Sequence, residues 1–151
     1  MNPTILVTGG AGYIGSHACV ELLAAGFRVV VLDNLSNSKE AALERVREIS
    51  GQPLDFVKCD LLDRPALDEL FRRYPIDAVM HFAGLKAVGE SVAQPLRYYR
   101  NNVCGTVNLL EAMAAAKVTD LVFSSSCTVY GAPKTLPIRE DFPLGAVNPY
   151  G

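Results

Sequence analysis

Apolar and polar positions along the chain form blocks that predict strands separated by helices. Residues 5–7 make a short apolar run, and residues 28–32 make a second run that is rich in β-branched side chains. Nearly continuous apolar strands of this kind are typical of parallel strands covered on both faces. Between the two runs, apolar residues recur at helical spacing. The predicted stripe of that helix comprises Ile14, Ala18 and Leu22, with Cys19 and Leu23 beside it.

The rest of the chain continues the alternation without internal repeats. Gly26 and Gly51 are predicted to end the first two helices, since glycine favours the position just past a helix. Ser38 is predicted to cap a helix over about 39–49, and Asp63 a helix that ends near Tyr74. The remaining predicted elements are strands at 54–59, 78–82 and 121–123, and a long helical region at about 95–116.

Strands joined by helices of this length predict right-handed crossovers, and so an α/β fold with a doubly wound parallel sheet. We expect a Rossmann-like strand order of 3-2-1-4-5, with the ligand crevice at the carboxyl ends of strands 1 and 4. After Ser126 the pattern fades into a stretch that contains proline and glycine.

The junction of the first strand and helix is rich in glycine. Gly10, Gly12 and Gly15 fit the spacing G-x-G-x-x-G, and Gly9, Gly12 and Gly15 also fit G-x-x-G-x-x-G. Such a junction needs a sharp turn, close approach of backbone N–H groups to phosphates and close helix–strand packing. It is therefore a candidate pyrophosphate site at a helix N-terminus.

Asp33 ends the second strand, eighteen residues after Gly15. An acid there can accept a hydrogen bond from a ribose 2′-hydroxyl and would repel a 2′-phosphate. The residues therefore predict NAD rather than NADP as cofactor. The alternative for Asp33 is a structural role as a turn or helix cap.

Composition narrows the partners further. The chain has 151 residues, half of them hydrophobic, and a net charge of −2 without a basic patch, so nucleic acid is not an expected partner. No apolar run approaches the roughly 18 residues of a membrane span, and Met1 to Pro3 lead directly into a strand. We therefore expect a cytoplasmic protein without a signal peptide.

The four cysteines are too far apart for a metal site or a disulfide framework. We expect them to be reduced and mostly buried. They are Cys19, Cys59, Cys104 and Cys127.

Four stretches resemble the extended short-chain dehydrogenase/reductase superfamily, and within it the enzymes that epimerise UDP-hexoses at C4′. These are residues 9–16, 33–35, 81–91 and 124–131, and the resemblance extends over all 151 residues. It implies interconversion of UDP-glucose and UDP-galactose, an isomerase reaction with NAD as a bound cofactor. It further implies that residues 1–151 are the NAD-binding part, without the sugar-nucleotide-binding part, and that the full-length protein forms a homodimer.

The resemblance also implies residue roles. The pyrophosphate would contact Gly12, Tyr13 and Ile14, and Gly9 and Gly15 would also belong to the cofactor site. The adenosine ribose and its surroundings would contact Asp33, Asn34, Leu35, Ser36, Asn37 and Ser38, and the adenine Asp60 and Leu61. The nicotinamide half would contact Phe82, Ala83, Gly84, Lys86, Asn101 and Ser124. The substrate would contact Lys86, Ser126, Cys127, Thr128 and Tyr150, of which Ser126 and Tyr150 would be catalytic.

Tyr150 matches the tyrosine of a Tyr-x-x-x-Lys motif whose lysine would fall beyond Gly151. A free tyrosine, with a pKa near 10, is a poor base, and a nearby lysine and the nicotinamide ring would favour the phenolate that takes a proton from the sugar. We therefore expect the 151-residue chain alone to be inactive. Tyr150 as an ordinary loop residue stays an alternative.

Two other functions fit part of the pattern. A sugar-nucleotide 4,6-dehydratase of the same superfamily is disfavoured. In those enzymes an Asp-Glu pair helps to eliminate water, and this chain has Cys127 and Thr128 at the corresponding positions. A non-catalytic NAD-binding module is the other alternative. His17 and His81 are interpreted as packed, hydrogen-bonded histidines rather than catalytic ones, and Tyr98 and Tyr99 as part of a core or interface stripe with Val103 and Leu110.

Overall fold

The computed structural model describes residues 2–151 and has a five-stranded parallel sheet at its centre. The strands are β1 (Thr4–Thr8), β2 (Arg28–Asp33), β3 (Asp55–Lys58), β4 (Ala78–His81) and β5 (Asp120–Phe123). Their order is β3-β2-β1-β4-β5, which confirms the predicted Rossmann-like arrangement. All four pairings are parallel.

Helices cover both faces of the sheet. They are α1 (Tyr13–Ala24), α2 (Ala41–Ser50), α3 (Arg64–Arg73), α4 (Val88–Ala93), α5 (Pro95–Tyr98) and α6 (Gly105–Ala116). A π-helical segment, Tyr99–Cys104, joins α5 to α6, and a 3₁₀ helix, Cys127–Tyr130, follows β5. The long helical region is thus present, but the sequence pattern did not predict α4 or the π-helical and 3₁₀ segments.

Two apolar clusters lie on opposite faces of the sheet. On one face, α1 and α2 pack against alternate residues of the central strands, including Val7 and Val31. On the other face, α3 and α6 pack against Leu6, Val30 and Val79. The central strands β1 and β2 are mainly apolar and buried because both of their faces are covered, as predicted for parallel strands, whereas the edge strands β3 and β5 each begin with an exposed aspartate.

The stripe predicted for α1 is displaced by one position. The buried residues are Gly15, Cys19 and Leu23, whereas Ile14 is exposed. The close approach of Gly15 to the preceding turn fixes the rotation of the helix. Gly26 confirms its expected role: its φ is +85°, and the amides of Gly26 and Phe27 donate to carbonyls of the last turn of α1.

The predicted cap of the second helix is wrong. The α2 helix begins at Ala41, and Ser38 donates its hydroxyl proton to Asp33 Oδ1 at 2.8 Å instead. Ser38 thus lies before the N-cap residue of α2, Glu40, and its side chain is oriented by the bond to Asp33. The other two predictions are confirmed, since Asp63 accepts from the amide of Ala66 at the start of α3 and Gly51 ends α2 with a φ of +63°.

The cysteine prediction is correct for only two residues. Cys19 and Cys59 are buried, while Cys104 and Cys127 are exposed, because the π-helical and 3₁₀ segments that carry them lie at the surface. Burial raises the pKa of the Cys19 thiol to about 12 and, together with the nearby Asp63 and Asp60, that of Cys59 to about 11. All four are free thiols within the described part of the chain.

Substitution of Gly15 by alanine should destabilise the fold. A Cβ at this position would lie 2.3 Å from the carbonyl oxygen of Gly9, which belongs to the turn that connects β1 to α1. Because the obstacle is backbone, the free energy of unfolding should fall by about 2 kcal/mol or more.

The matched control is Gly89→Ala in α4, where a Cβ would meet no heavy atom within 4 Å. This change should be neutral or stabilise by about 0.5–1 kcal/mol. Urea unfolding followed by circular dichroism measures both variants, and equal effects would contradict this account of the turn.

Candidate functional site

A cleft of about 380 Å³ opens at the carboxyl edge of the sheet. Each of the five strands delivers residues to it at or just after its carboxyl end: Gly9 after β1, Asp33 at the end of β2, Asp60 after β3, Phe82 after β4 and Ser124 after β5. The crevice therefore lies where the strand order reverses between β1 and β4, as the fold predicts.

The wall after β1 is a tight backbone turn. Gly9 has a φ of +69°, and a Cβ there would lie 2.7 Å from the backbone nitrogen of Ala83. A Cβ at Gly10 would likewise lie 2.7 Å from a side-chain methyl group of Val31. The turn thus fits closely between β2 and β4, and only glycine fits at these positions without displacing them.

The N-terminus of α1 faces this turn. Gly12 is its N-cap residue, and among the described residues no side chain caps the helix. The first-turn residues Tyr13, Ile14 and Gly15 line the cleft together with Gly12. Amides at a helix N-terminus, with the positive end of the helix dipole, are suited to an anion such as a pyrophosphate.

Asp33 is buried at the end of β2 and adjoins this turn. Its Oδ2 accepts from the amide of Ala11 at 3.0 Å, and its Oδ1 accepts from the amide of Leu35 at 2.9 Å and from Ser38. These bonds show the structural role that the sequence left open, and they also fix the orientation of the carboxylate at the cleft. Oδ2, with one donor, has capacity for a further hydrogen bond.

A hydrogen-bonded pair, Asn34 and Asp60, lies beside Asp33 at the carboxyl edge of the sheet. The carboxamide of Asn34 donates to Asp60 Oδ2 at 2.9 Å, which joins the segment after β2 to the segment after β3. Asp60 Oδ1 accepts from the amide of Leu62 at 2.8 Å. The end of the cleft next to Asp33 is therefore acidic and contains no basic side chain among the described lining residues.

Most residues that the sequence assigned to a cofactor line this cleft. Those that do are Gly9, Gly12, Tyr13, Ile14, Gly15, Asp33, Asn34, Ser36, Asn37, Ser38, Asp60, Leu61, Phe82, Ala83, Gly84, Lys86, Asn101 and Ser124. Leu35 is not among the lining residues, because its side chain packs against the apolar cluster below α1 and α2. Sequence reasoning missed the lining residues Leu32, Cys59 and Leu85, which adjoin predicted ones in the chain.

The loop between β4 and α4 forms the other wall and is held by Asn102. The carboxamide of Asn102 pairs with both backbone polar groups of Leu85, accepting from its amide at 2.8 Å and donating to its carbonyl at 2.9 Å. Asn101 donates to the same side chain and also lines the cleft. Both asparagines belong to the π-helical segment, a feature that frequently occurs at functional sites. Asn102 was not predicted, and its only signal in the sequence is its position beside Asn101.

Of the predicted catalytic and substrate residues, only Lys86 lines the cleft, and the other four lie beside it: Ser126, Cys127, Thr128 and Tyr150. Ser126 caps the 3₁₀ helix, where its hydroxyl oxygen accepts from the amide and the hydroxyl group of Thr128. Tyr150 lies on the terminal segment, with its amide bonded to Asn148. The Lys86 ammonium lies 5.9 Å from the centre of the Tyr150 ring, which connects this segment to the cleft wall.

His81 is buried at the end of β4, as interpreted from the sequence. Its Nδ1 lies 2.5 Å from the Thr8 hydroxyl oxygen and its Nε2 lies 2.9 Å from that of Thr106. Thr106 donates its own proton to the carbonyl of Asn102, so it accepts from Nε2–H, and Thr8 donates to Nδ1. Burial, and then the charge of Lys86, lowers the pKa of His81 to about 4. His17, by contrast, is exposed, and its Nδ1 bonds the carbonyl of Tyr13 at 2.8 Å.

The arrangement suits a dinucleotide. An uncapped helix end, a turn too tight for side chains and a carboxylate with a free acceptor site follow one another along one wall. A single cation, Lys86, is on the opposite wall among the described lining residues. The helix end matches a pyrophosphate, the turn gives the backbone clearance that the pyrophosphate needs, and the carboxylate matches a ribose diol.

Neither a metal site nor a membrane segment is found in the described part of the chain. Within residues 2–151, no group of three His, Cys, Asp or Glu side chains is placed to hold a metal ion. Across the same residues, no helix is both long enough and apolar enough to cross a membrane.

A family model and several curated proteins match this chain. The model of the NAD dependent epimerase/dehydratase family matches residues 5–151. A protein of Bacillus subtilis named UDP-glucose 4-epimerase is 67% identical over 147 residues, covering 97% of this chain and 43% of that protein. UDP-glucose 4-epimerase 1 of rice is 62% identical over 98% of this chain and 43% of its own length. The chain thus spans about 43% of the length of these curated relatives.

Solved structures show the same likeness. A UDP-glucose 4-epimerase from Stenotrophomonas maltophila, with bound NAD and formylated UDP-arabinopyranose, superposes with a TM-score of 0.95 at 50% identity. It is matched over 99% of this chain and 44% of its own. The Bifidobacterium longum enzyme, in complex with NAD+ and UDP, gives 0.95 at 51% identity, over 97% of this chain and 44% of its own.

The buried His81 should make stability depend on pH. The pKa of His81 is about 4 in the fold against an ordinary value of 6.5, so the unfolded chain binds more protons between these values. The stability that His81 contributes is therefore complete above about pH 6.5 and is lost as the pH falls towards 4. One such group gives a slope of at most about 1.4 kcal/mol per pH unit.

Urea unfolding of the parent and of His81→Gln between pH 4 and 7 measures this slope. The variant should have a smaller slope than the parent in this window. The matched control is His17→Gln, which removes the other histidine of the chain from an exposed position. A His81 variant with the slope of the parent would show that His81 does not cause the dependence.

Proposed function

Because the chain belongs to the NAD dependent epimerase/dehydratase family, we propose that the polypeptide carrying it binds NAD in this cleft and interconverts UDP-glucose and UDP-galactose. The observation that carries the proposal is the cleft itself, where the glycine turn and Asp33 form one wall and Lys86 stands on the other. In this proposal residues 1–151 are the NAD-binding Rossmann domain of an isomerase. The names of its relatives support the choice of reaction.

The first wall is proposed to hold the adenosine diphosphate half of NAD. The first turn of α1 would bind the pyrophosphate, and Asp33 would accept from the 2′-hydroxyl of the adenosine ribose. The lack of a basic side chain at this end among the described lining residues favours NAD over NADP, since a 2′-phosphate would face the carboxylates of Asp33 and Asp60 without a counter-charge. Asp60 and Leu61 would lie against the adenine.

The loop after β4 is proposed to hold the nicotinamide half. Phe82, Ala83 and Gly84 line the cleft directly after β4, so they would bring the ring close to β4 and to Ser124. Asn101 faces the same space from the π-helical segment. When bound, NAD would accept a hydride from C4′ of the sugar and return it to the other face.

The residues beside the cleft are proposed to act on the sugar. Tyr150 would take the proton of the 4′-hydroxyl group on its phenolic oxygen and later return it. Ser126 accepts two hydrogen bonds from Thr128, so its own proton is free to be donated to the same sugar oxygen. Cys127 and Thr128 would contact the sugar, and Lys86 would contact the anionic substrate.

A homodimer of the full-length protein belongs to the same proposal. A row of exposed apolar side chains follows the helical region from α5 to α6 at spacings of three and four residues. It comprises Leu96, Tyr99, Val103, Val107 and Leu110. An exposed apolar row of this kind supports an interface between subunits.

Replacement of Asp33 should relax the choice of cofactor. In the full-length protein, Asp33→Ser removes the carboxylate that would repel a 2′-phosphate, so the ratio of NADP to NAD affinity should rise at least about tenfold. Asp33→Asn should shift the ratio in the same direction while keeping an acceptor for the turn. Calorimetric titration with both cofactors measures the ratio.

The control for overall charge is Asp55→Ser, an exposed acid at the amino end of β3 and thus at the opposite edge of the sheet. The ratio of NADP to NAD affinity in this variant should equal that of the parent. Equal affinity of the parent for NAD and NADP would refute the role of Asp33.

The catalytic assignment is tested by Tyr150→Phe in the full-length protein. Loss of the phenolic group should lower kcat for UDP-galactose by about 10²-fold or more and leave NAD affinity within about twofold. Ser126→Ala should lower kcat by about tenfold with the same cofactor affinity. A coupled assay for UDP-glucose measures both.

The matched control is Tyr130→Phe, which removes a tyrosine hydroxyl from the neighbouring 3₁₀ helix. This variant should have the parental kcat for UDP-galactose. A Tyr150→Phe variant with parental kcat would mean that Tyr150 is an ordinary loop residue.

A further inference from the structure

The backbone on both sides of Lys86 is held by side chains of the helical region that follows, Asn102 and Tyr98. On one side, Asn102 pairs with the amide and carbonyl of Leu85. On the other side, the amide of Ala87 donates to the hydroxyl oxygen of Tyr98 at 3.0 Å. The backbone is therefore held immediately before and after Lys86, whose ammonium group lines the cleft near the Tyr150 ring.

Tyr98 is placed to act as a fixed acceptor. Its side chain is 1% exposed, although α5 itself has only four residues. Its hydroxyl group donates to Glu90 Oε2 at 2.8 Å, which leaves an oxygen lone pair directed at Ala87. Burial, and then the bond to Glu90, raises the pKa of the Tyr98 hydroxyl, so it stays protonated and keeps this orientation at neutral pH.

Glu90 is itself occupied on both oxygens. Its Oε1 forms an ion pair with Arg97, and its Oε2 accepts from Tyr98. None of the salt bridges within residues 2–151 involves Lys86. The acid closest to Lys86 on α4 is thus neutralised by another cation, and the Lys86 ammonium stays available to an anion that enters the cleft.

We propose that Tyr98 and Glu90 are positioning residues for Lys86: Glu90 orients the Tyr98 hydroxyl group, Tyr98 holds the Ala87 amide, and Lys86 is thereby kept aimed at the anionic diphosphate of the substrate. The inference rests on the proposed function, since it takes a UDP-sugar as the ligand. The physical reason is entropy. A lysine side chain loses rotamer freedom when it binds, and a fixed backbone removes the further loss that a mobile loop would add.

A purely structural role for Tyr98 predicts a different outcome. If Tyr98 only filled the space between α4 and α5, removal of its hydroxyl group would lower stability without changing how the protein binds an anion. If it acts through Lys86, the loss must appear in affinity for the diphosphate and must vanish when Lys86 is absent.

The test compares Tyr98→Phe with the parent in the full-length protein, with NAD bound. UDP affinity by calorimetry and KM for UDP-galactose should each weaken about fivefold, while kcat changes less than twofold. In a Lys86→Met background, Tyr98→Phe should cause no further loss of UDP affinity. The matched control is Tyr99→Phe, which removes the hydroxyl group of the adjacent, half-exposed tyrosine and should bind UDP like the parent.

Substitutions of Glu90 provide an independent test if Tyr98→Phe does not fold. Glu90→Gln keeps an acceptor for the Tyr98 hydroxyl and should retain UDP affinity within about twofold, whereas Glu90→Leu removes the acceptor and should weaken it like Tyr98→Phe. Unchanged UDP affinity in both Tyr98→Phe and Glu90→Leu would overturn the inference, as would an equal loss with and without Lys86. If the parent does not turn over UDP-galactose, the proposed function fails, and the UDP titrations still decide the role of Tyr98.

Discussion

The site depends on how closely the turn after β1 approaches its neighbours. Three backbone positions, Gly9, Gly10 and Gly15, have no space for a Cβ, and the obstacles belong to the segment after β4, to β2 and to the turn itself. This contact fixes the start and rotation of α1, and hence the direction in which its first amides point. Asp33 reinforces it through its bond to Ala11, so the end of β2 is joined to the same turn. The first wall of the cleft is therefore determined by backbone geometry rather than by large side chains.

The second wall is built differently. The loop that follows β4 has no regular structure, and two polar side chains from the next helical region hold it: the half-buried Asn102 at Leu85 and the buried Tyr98 at Ala87. Such bonds are strong in a buried setting, and a missing partner there costs more than at the surface. The cleft thus combines a wall set by the turn with a wall set by side chains that lie far from it in sequence.

This difference explains what the sequence could predict. The strand order, the crevice, the glycine turn and Asp33 followed from local patterns, because a glycine spacing or an acid at a strand end has a local physical cause. Most of the other lining residues were implied by the resemblance to a known superfamily. The predicted cap at Ser38 was wrong because α2 begins only at Ala41, and the Ser38 hydroxyl group is oriented by Asp33, five residues earlier. Asn102 and Tyr98 were missed because their partners are backbone groups of a distant loop, which have no signature in the side-chain pattern. The exposure of Cys104 and Cys127 follows from the π-helical and 3₁₀ segments, and neither has a periodicity that a pattern of this length reveals.

The π-helical segment has a consequence for how the protein tolerates changes in length. A π segment contains one residue more than an α-helical turn over the same rise, so the extra residue is taken up within the segment. Deletion of a single residue between Tyr99 and Cys104 would therefore leave an unbroken α-helix in which α5 and α6 keep nearly the same phase, whereas the same deletion in an ordinary α-helix rotates one part by about 100° relative to the other. What such a deletion would change is the cleft wall, because the wider turn carries both Asn101 and Asn102 at the loop after β4. In this stretch the count of residues matters for the site more than for the helix, so a deletion that leaves the helix intact should still remove part of the wall.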